Sequence, residues 1–165
     1  MIEPIKLMVA GTGNPHVPHY LNGTGRDVRL ARFVAVSDED PGRLEQARRL
    51  CAQRPGMTFH ADYREMFDAH PDADAVMIGS DNIYHCEMFR EAVRRKLHIY
   101  MMKVISMNEA ECREMIELAR DYPRVVAVEL ELKFNPQFQH AKRVVESGRL
   151  GKIESIYLTN ISQSP

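Results

Sequence analysis

The sequence has no apolar stretch long enough to cross a membrane, and Met1-Ile2-Glu3-Pro4 is too polar to open a signal peptide. Neither an integral membrane protein nor an exported one is therefore expected. Net charge is nearly absent: 22 Lys and Arg stand against 23 Asp and Glu. No overall field draws the chain to nucleic acid or to an anionic membrane, and neither is expected as a partner. The one dense basic run, Arg94-Arg95-Lys96, reads as the solvated end of a helix, where cations suit the helix dipole. Cysteine is scarce. Cys51, Cys86 and Cys112 are odd in number, far apart and each set in a helix-like pattern; that argues against a disulfide framework and fits reduced thiols in a cytoplasmic protein. Internal repeats and low-complexity segments are missing too. The 165 residues suffice for one well-buried domain and are too few for two of ordinary size.

What the sequence does contain is alternation. Ile5 to Ala10 is a short apolar run ending in Gly11-Thr12-Gly13, a buried strand feeding a tight turn. Asn14-Pro15 reads as the cap and first residue of a short helix, closed by Asn22-Gly23-Thr24-Gly25. Arg32 to Ser37 is a second strand, and Asp40-Pro41 starts a helix running to about Gln53. Met57 to His60, Ala75 to Gly79, His98 to Met101 and Arg124 to Leu132 read as further strands. Between them lie helical patterns over Asp62 to Ala69, Tyr84 to Arg95 and Asn108 to Asp121. Strands this apolar, alternating with helices, imply an α/β fold with a doubly wound parallel sheet covered on both faces.

The pattern changes near the end. Asn135-Pro136 opens a helix that stops at Ser147-Gly148, and Lys152 to Asn160 alternates in polarity. Alternation belongs to a strand with one buried face, as in an antiparallel sheet. Such a strand needs neighbours for its face and its edge, so a missing domain or a partner chain is expected to supply them.

Four places could carry chemistry. Gly11, Thr12, Gly13 and Asn14 stand where a dinucleotide's pyrophosphate would need bare backbone and N–H donors, although His16 holds the third position of the G-x-G-x-x-G pattern. A purely structural turn is the alternative. Asp38 follows the second strand, where a carboxylate can accept both hydroxyls of an adenine ribose and repel a 2′-phosphate, favouring NAD over NADP; it could instead help cap the next helix. Gly79, Ser80, Asn82 and His85 follow a central strand at the rim where open parallel sheets hold ligands. The plainer reading there is a polar turn with Asn82 as helix cap and His85 partly exposed. Lys103, directly after Met101-Met102, would share that rim, where its ammonium could hold a substrate hydroxyl as hydride leaves the carbon; it could equally be an ordinary surface lysine. His16 and His19 lack further ligands for a metal, and the methionines between Tyr100 and Met107 read as adaptable core filling. A phosphoacceptor receiver domain is excluded because glycines, not an acidic pair, follow the first strand.

Taken in order, Val34-Ala35-Val36-Ser37-Asp38, Ala61-Asp62-Tyr63, Gly79-Ser80-Asp81-Asn82-Ile83-Tyr84-His85, Met102-Lys103-Val104, Lys133-Phe134-Asn135-Pro136 and Ser147 to Ile153 resemble the N-terminal half of the Gfo/Idh/MocA (glucose–fructose oxidoreductase, inositol dehydrogenase, MocA-like) family. The resemblance implies a Rossmann domain over residues 1–134 and an interdomain helix with the first strand of a truncated α+β substrate domain over 135–165. It implies NAD as cofactor, NADP less so, contacted by Gly11, Thr12, Gly13, Asn14, Asp38, Gly79, Ser80, Asn82, His85 and Lys103. It also implies Lys103 as the catalytic group for hydride transfer to or from a sugar, polyol or related small molecule. The sequence departs from the family where Glu-Lys-Pro becomes Met102-Lys103-Val104, where Thr-Pro becomes Ser80-Asp81, and in the absence of the second domain and its histidine. Activity on a small-molecule substrate is therefore expected only once a second domain completes the site. A homo-oligomer, or a partner chain pairing with residues 152–160, is left open. The alternative is a non-catalytic nucleotide-sensing or interaction module on the same fold.

Overall fold

The computed structural model describes residues 3–23 and 30–159. Thr24 and Gly25, expected to close the first helix, and Asn160 lie outside them. The chain divides after Glu129 into two compact units.

In the first unit six strands form one parallel sheet: β1 (Ile5–Ala10), β2 (Ala31–Ser37), β3 (Thr58–His60), β4 (Ala75–Ile78), β5 (His98–Met101) and β6 (Val126–Val128). Their spatial order is β3-β2-β1-β4-β5-β6, and every pairing is parallel. The chain winds outward in one direction from β1 and in the other from β4. The C-terminal ends of these two strands therefore flank a crevice, the place where such sheets take ligands.

Side chains alternating along each strand explain the two covered faces. Met8, Ala10, Val76, Ile78, Ile99 and Met101 enter one buried cluster with Phe67 and Phe89, from α3 (Tyr63–Ala69) and α4 (His85–Arg94), and with Met115 of α5 (Glu109–Arg120). Val9, Val36 and Met77 enter the other, with Val17 and Leu21 of α1 (Val17–Gly23) and Ala47 of α2 (Pro41–Leu50). All four residues of β4 are buried, which is why that segment carries no polar alternation in sequence.

Helix starts follow the expected caps. Asp40 accepts from the Arg43 N–H, Asp62 from that of Arg64 and Asn108 from that of Ala110. The first helix differs from expectation: it starts at Val17 instead of Pro15. Asn14 Oδ1 accepts the His16 N–H at 2.9 Å, an Asx turn that inserts two residues before regular helix begins. The β-like run over Arg124 to Leu132 yields only Val126–Val128 as strand, since β5 offers partners only through Ile99, Tyr100 and Met101.

The second unit contains a 3₁₀ turn (Glu131–Phe134) and α6 (Pro136–Glu146), with Asn135 accepting from the Gln137 N–H and Pro136 leading the helix. The strand expected over 152–160 is not formed: residues 152–159 have no ladder partner among the described residues. Extended backbone becomes a strand only with a neighbour to hydrogen-bond, and Ile156 (78% exposed) and Tyr157 (94%) face solvent.

Candidate functional site

The glycine turn follows directly from β1. Gly11 has φ +81°, and a Cβ on it would lie 2.4 Å from Ser80 Cα, so no side chain fits there without moving the β4 rim. Thr12 then donates both its N–H and its hydroxyl to Asp38 Oδ2, each at 2.7 Å, and Asp40 donates its N–H to Asp38 Oδ1 at 2.9 Å. Asp38 is only 6% exposed. A carboxylate offers about four acceptor positions, so these three bonds leave no room for both ribose hydroxyls. The carboxylate braces the turn and its own loop, with one acceptor position on Oδ1 remaining.

Asn14 joins three loops. Its N–H donates to the Gly79 carbonyl at 2.9 Å, its Nδ2 to the Lys103 carbonyl at 3.3 Å, and its Oδ1 holds His16 as described. The close helix–sheet approach that a third glycine usually permits is made instead at Gly79, where a Cβ would stand 2.3 Å from Val17 Cγ2. His16 is held by the residue that follows β6. Its Nδ1 lies 2.9 Å from Glu129 Oε1, which also accepts the Tyr20 hydroxyl at 3.0 Å. Burial, together with bonds to Tyr100 and Glu129, holds the Tyr20 phenol well above its ordinary range. Glu129 is buried, and its Oε2 has no hydrogen-bond partner among the described residues. Nothing local in the sequence marks Glu129, which follows a short apolar strand and takes its meaning from the partners that folding brings to it.

The engagement of these amides bears on what the turn can bind. The N–H groups of Thr12, Asn14, His16 and Val17 are all taken within the protein, and Pro15 has none. Among the described residues, Gly13 alone of residues 12–17 keeps a backbone N–H with no partner. A helix-start cradle rich in amides, as the glycine pattern suggested, is not what this turn presents.

At the β4 rim, His85 is fully buried, correcting the partly exposed reading. Its Nδ1 lies 2.9 Å from the Val104 carbonyl and its Nε2 3.2 Å from the Ser80 carbonyl. The imidazole thus ties the β4 and β5 rim loops together. The 3₁₀ turn Asn82–Tyr84 begins with no side-chain cap. Lys103 is exposed.

These residues border two clefts. One is lined by Gly11, Asp38, Glu39, Arg43 and Tyr84, and the Glu39 carboxylate near the Tyr84 hydroxyl raises that phenol's pKa. The other brings Gly13, Asn14 and His16 together with Asn82 and Lys103. Ser80 and Asp81 line both. Arg43 Nη1 pairs with Asp81 Oδ2 at 2.8 Å, a bond that raises the guanidinium pKa further. The turn, Asp38, Ser80, Asn82 and Lys103 therefore meet at one rim, as the spacing predicted, while His85 lies beneath it; Asp81, marked in the sequence only as a departure from the family pattern, pairs there with Arg43, which no pattern singled out.

Residues 5–130 match the profile of an oxidoreductase family with an NAD-binding Rossmann fold. The uncharacterized oxidoreductase YrbE of Bacillus subtilis is 30% identical over 105 residues, covering 64% of this chain and 30% of that one. An inositol 2-dehydrogenase of Pseudomonas fluorescens is 29% identical over 154 residues, 90% of this chain and 43% of its own. The crystal structure of scyllo-inositol dehydrogenase from Lactobacillus casei, with bound NAD(H) and scyllo-inositol, superposes with a TM-score of 0.75 at 21% identity, over 90% of this chain and 42% of that one. The chain thus spans less than half the length of each of these proteins. Among the described residues no helix is long and apolar enough to cross a membrane. With two thirds and more of its length under that profile, the chain belongs to the Gfo/Idh/MocA oxidoreductase family and carries its NAD-binding Rossmann fold.

Proposed function

We propose that this chain supplies the cofactor-binding half of a dehydrogenase that moves hydride between nicotinamide and a hydroxyl-bearing carbon of a sugar, polyol or related small molecule. The observation that carries the reading is the shared lining of one cleft by Gly13, Asn14, Asn82 and Lys103. In this reading the adenine ribose lies in the Asp38 cleft and the nicotinamide in the Lys103 cleft. The bound cofactor supplies the hydride acceptor. Lys103 holds the substrate oxygen and stabilises its negative charge as hydride leaves the carbon, while a base in the rest of the protein takes the hydroxyl proton. Asp38 and Glu39 disfavour a 2′-phosphate by charge, so NAD is preferred to NADP. Residues 135–165 lead into the part of the protein that shapes the substrate pocket, and positioning by that part supplies several kcal/mol of the barrier.

The test is a fluorescence titration of the chain with NADH and NADPH. Saturable NADH binding in the micromolar range, with NADPH weaker by about tenfold, is expected. No saturation at millimolar NADH would remove the proposal. A second reading, a nucleotide-binding interaction module, draws on the exposed, alternating run containing Ile156, Tyr157 and Leu158, which suits pairing with another chain's sheet edge. Under that reading Lys103→Ala would leave the complete protein's function intact.

A further inference from the structure

The two clefts share the Ser80-Asp81 wall, and the Arg43–Asp81 ion pair stands between them. Its position over the turn is defined by Gly13: a Cβ there would lie 2.7 Å from Arg43 Nη1 and 2.7 Å from Asp81 Oδ1. The pair thus covers the bare backbone against which a pyrophosphate would rest. We propose that Arg43 is the principal donor to the pyrophosphate bridge of the dinucleotide, held over Gly13 by Asp81 until the cofactor displaces that carboxylate. The proposal rests on the NAD-binding reading above.

The turn itself makes this necessary. With the amides of Thr12, Asn14, His16 and Val17 engaged internally, a doubly charged bridge would meet the Gly13 N–H and little other backbone donation. A guanidinium can meet it with two parallel charge-assisted bonds. The exchange costs little on the protein side, because the pair is exposed to solvent (41% and 48%), and such pairs contribute little to stability. Arg43 also lies in the field of Asp38 and Asp40, which keeps the guanidinium near the turn when Asp81 lets go. Opening the pair joins the adenosine cleft to the Lys103 cleft along their shared wall, so the closed pair also excludes a ligand that must span both.

Four proteins test this: the wild-type chain, Arg43→Ala, Asp81→Asn and the double variant, each titrated with NADH and with adenosine, which lacks the bridge. The expected result is an NADH Kd about tenfold higher in Arg43→Ala with a clearly smaller change for adenosine, whose cleft Arg43 also lines, and a lower NADH Kd in Asp81→Asn. Adding Arg43→Ala to Asp81→Asn should again weaken NADH about tenfold. If that second loss disappears, Arg43 merely neutralises Asp81 and the proposal fails. Wild-type binding of NADH that Arg43→Ala leaves untouched would also overturn it, while the cofactor reading survives. Absence of saturable NADH binding in all four proteins would end both.

Discussion

The two sides of the rim are built on opposite plans. On the Asp38 side the polar groups that brace the turn are buried: Ser37, Asp38 and Thr12 are exposed by 9% or less, and one carboxylate takes three donors. On the Lys103 side the chain leaves β5 into an open loop, with Lys103 exposed and Val104 and Met107 exposed by 48% and 75%. Folding free energy is concentrated on the first side, and groups available to a ligand on the second. Substitutions on the two sides should therefore separate stability from binding.

The largest effect is expected at Gly11. Alanine there meets left-handed backbone strain of about 1–2 kcal/mol and a collision with Ser80 at 2.4 Å, an overpacking cost of about 1–3 kcal/mol. A melting midpoint lower by roughly 10 °C follows for a domain of this size. Gly56 provides the control, since it shares φ +81° but has no atom within 4 Å of the added Cβ. Calorimetry should find Gly56→Ala losing less than half as much. Equal losses would show that the Ser80 contact is irrelevant.

Asp38→Ala comes next. It leaves the Thr12 N–H buried without an acceptor, a loss of about 2 kcal/mol and roughly 5 °C in the midpoint. Had Asp38 served only to hold a ribose, the apo protein would melt unchanged.

This difference between the sides also explains what could be read in advance. The strands themselves, the glycine turn and the rim placement of Ser80, Asn82 and Lys103 were legible because they rest on local patterns: apolar runs, paired glycines, residues directly following strands. The use of Asp38 as a brace was not, because it depends on how Thr12, distant in sequence, presents two donors. Arg43 and Glu129 were invisible for the same reason. An arginine in the first turn of a helix and a glutamate after a short strand become informative only when folding brings Asp81 and His16 to them. The 152–160 run shows the converse: its alternation was real, but a strand is a property of two segments.

A smaller effect should appear at the outer edge of the Asp38 side. The His60 carbonyl accepts the Asp38 N–H at 3.2 Å, while the His60 and His70 rings share the Thr58 hydroxyl, at 2.8 and 2.6 Å. Burial, then the neighbouring His70, lowers the His60 pKa below its ordinary 6.5. A depressed histidine favours the folded state while neutral. That contribution is complete above the unfolded value and is lost as pH falls through the folded one. The midpoint should drop by roughly 2 °C between pH 7 and pH 5 as His60 takes up its proton, a modest amount because the ring is partly solvated. His70→Asn should flatten that decline, and a slope identical to wild type would assign it elsewhere.

Lys103→Ala should do least to the fold. The side chain is exposed, and what the Gly13–Asn14 turn takes from this residue is its backbone carbonyl, through Asn14 Nδ2, which alanine retains. The melting midpoint should stay within about 1 °C of wild type, and the NADH Kd should change by no more than about twofold, because the ammonium is assigned to substrate and not to the cofactor bridge. A loss of stability comparable to that of Asp38→Ala would show that the lysine is structural, and the contrast between the two sides would collapse. A loss of NADH affinity with stability intact would place the ammonium on the cofactor instead, and the division of labour with Arg43 would have to be redrawn along the same rim.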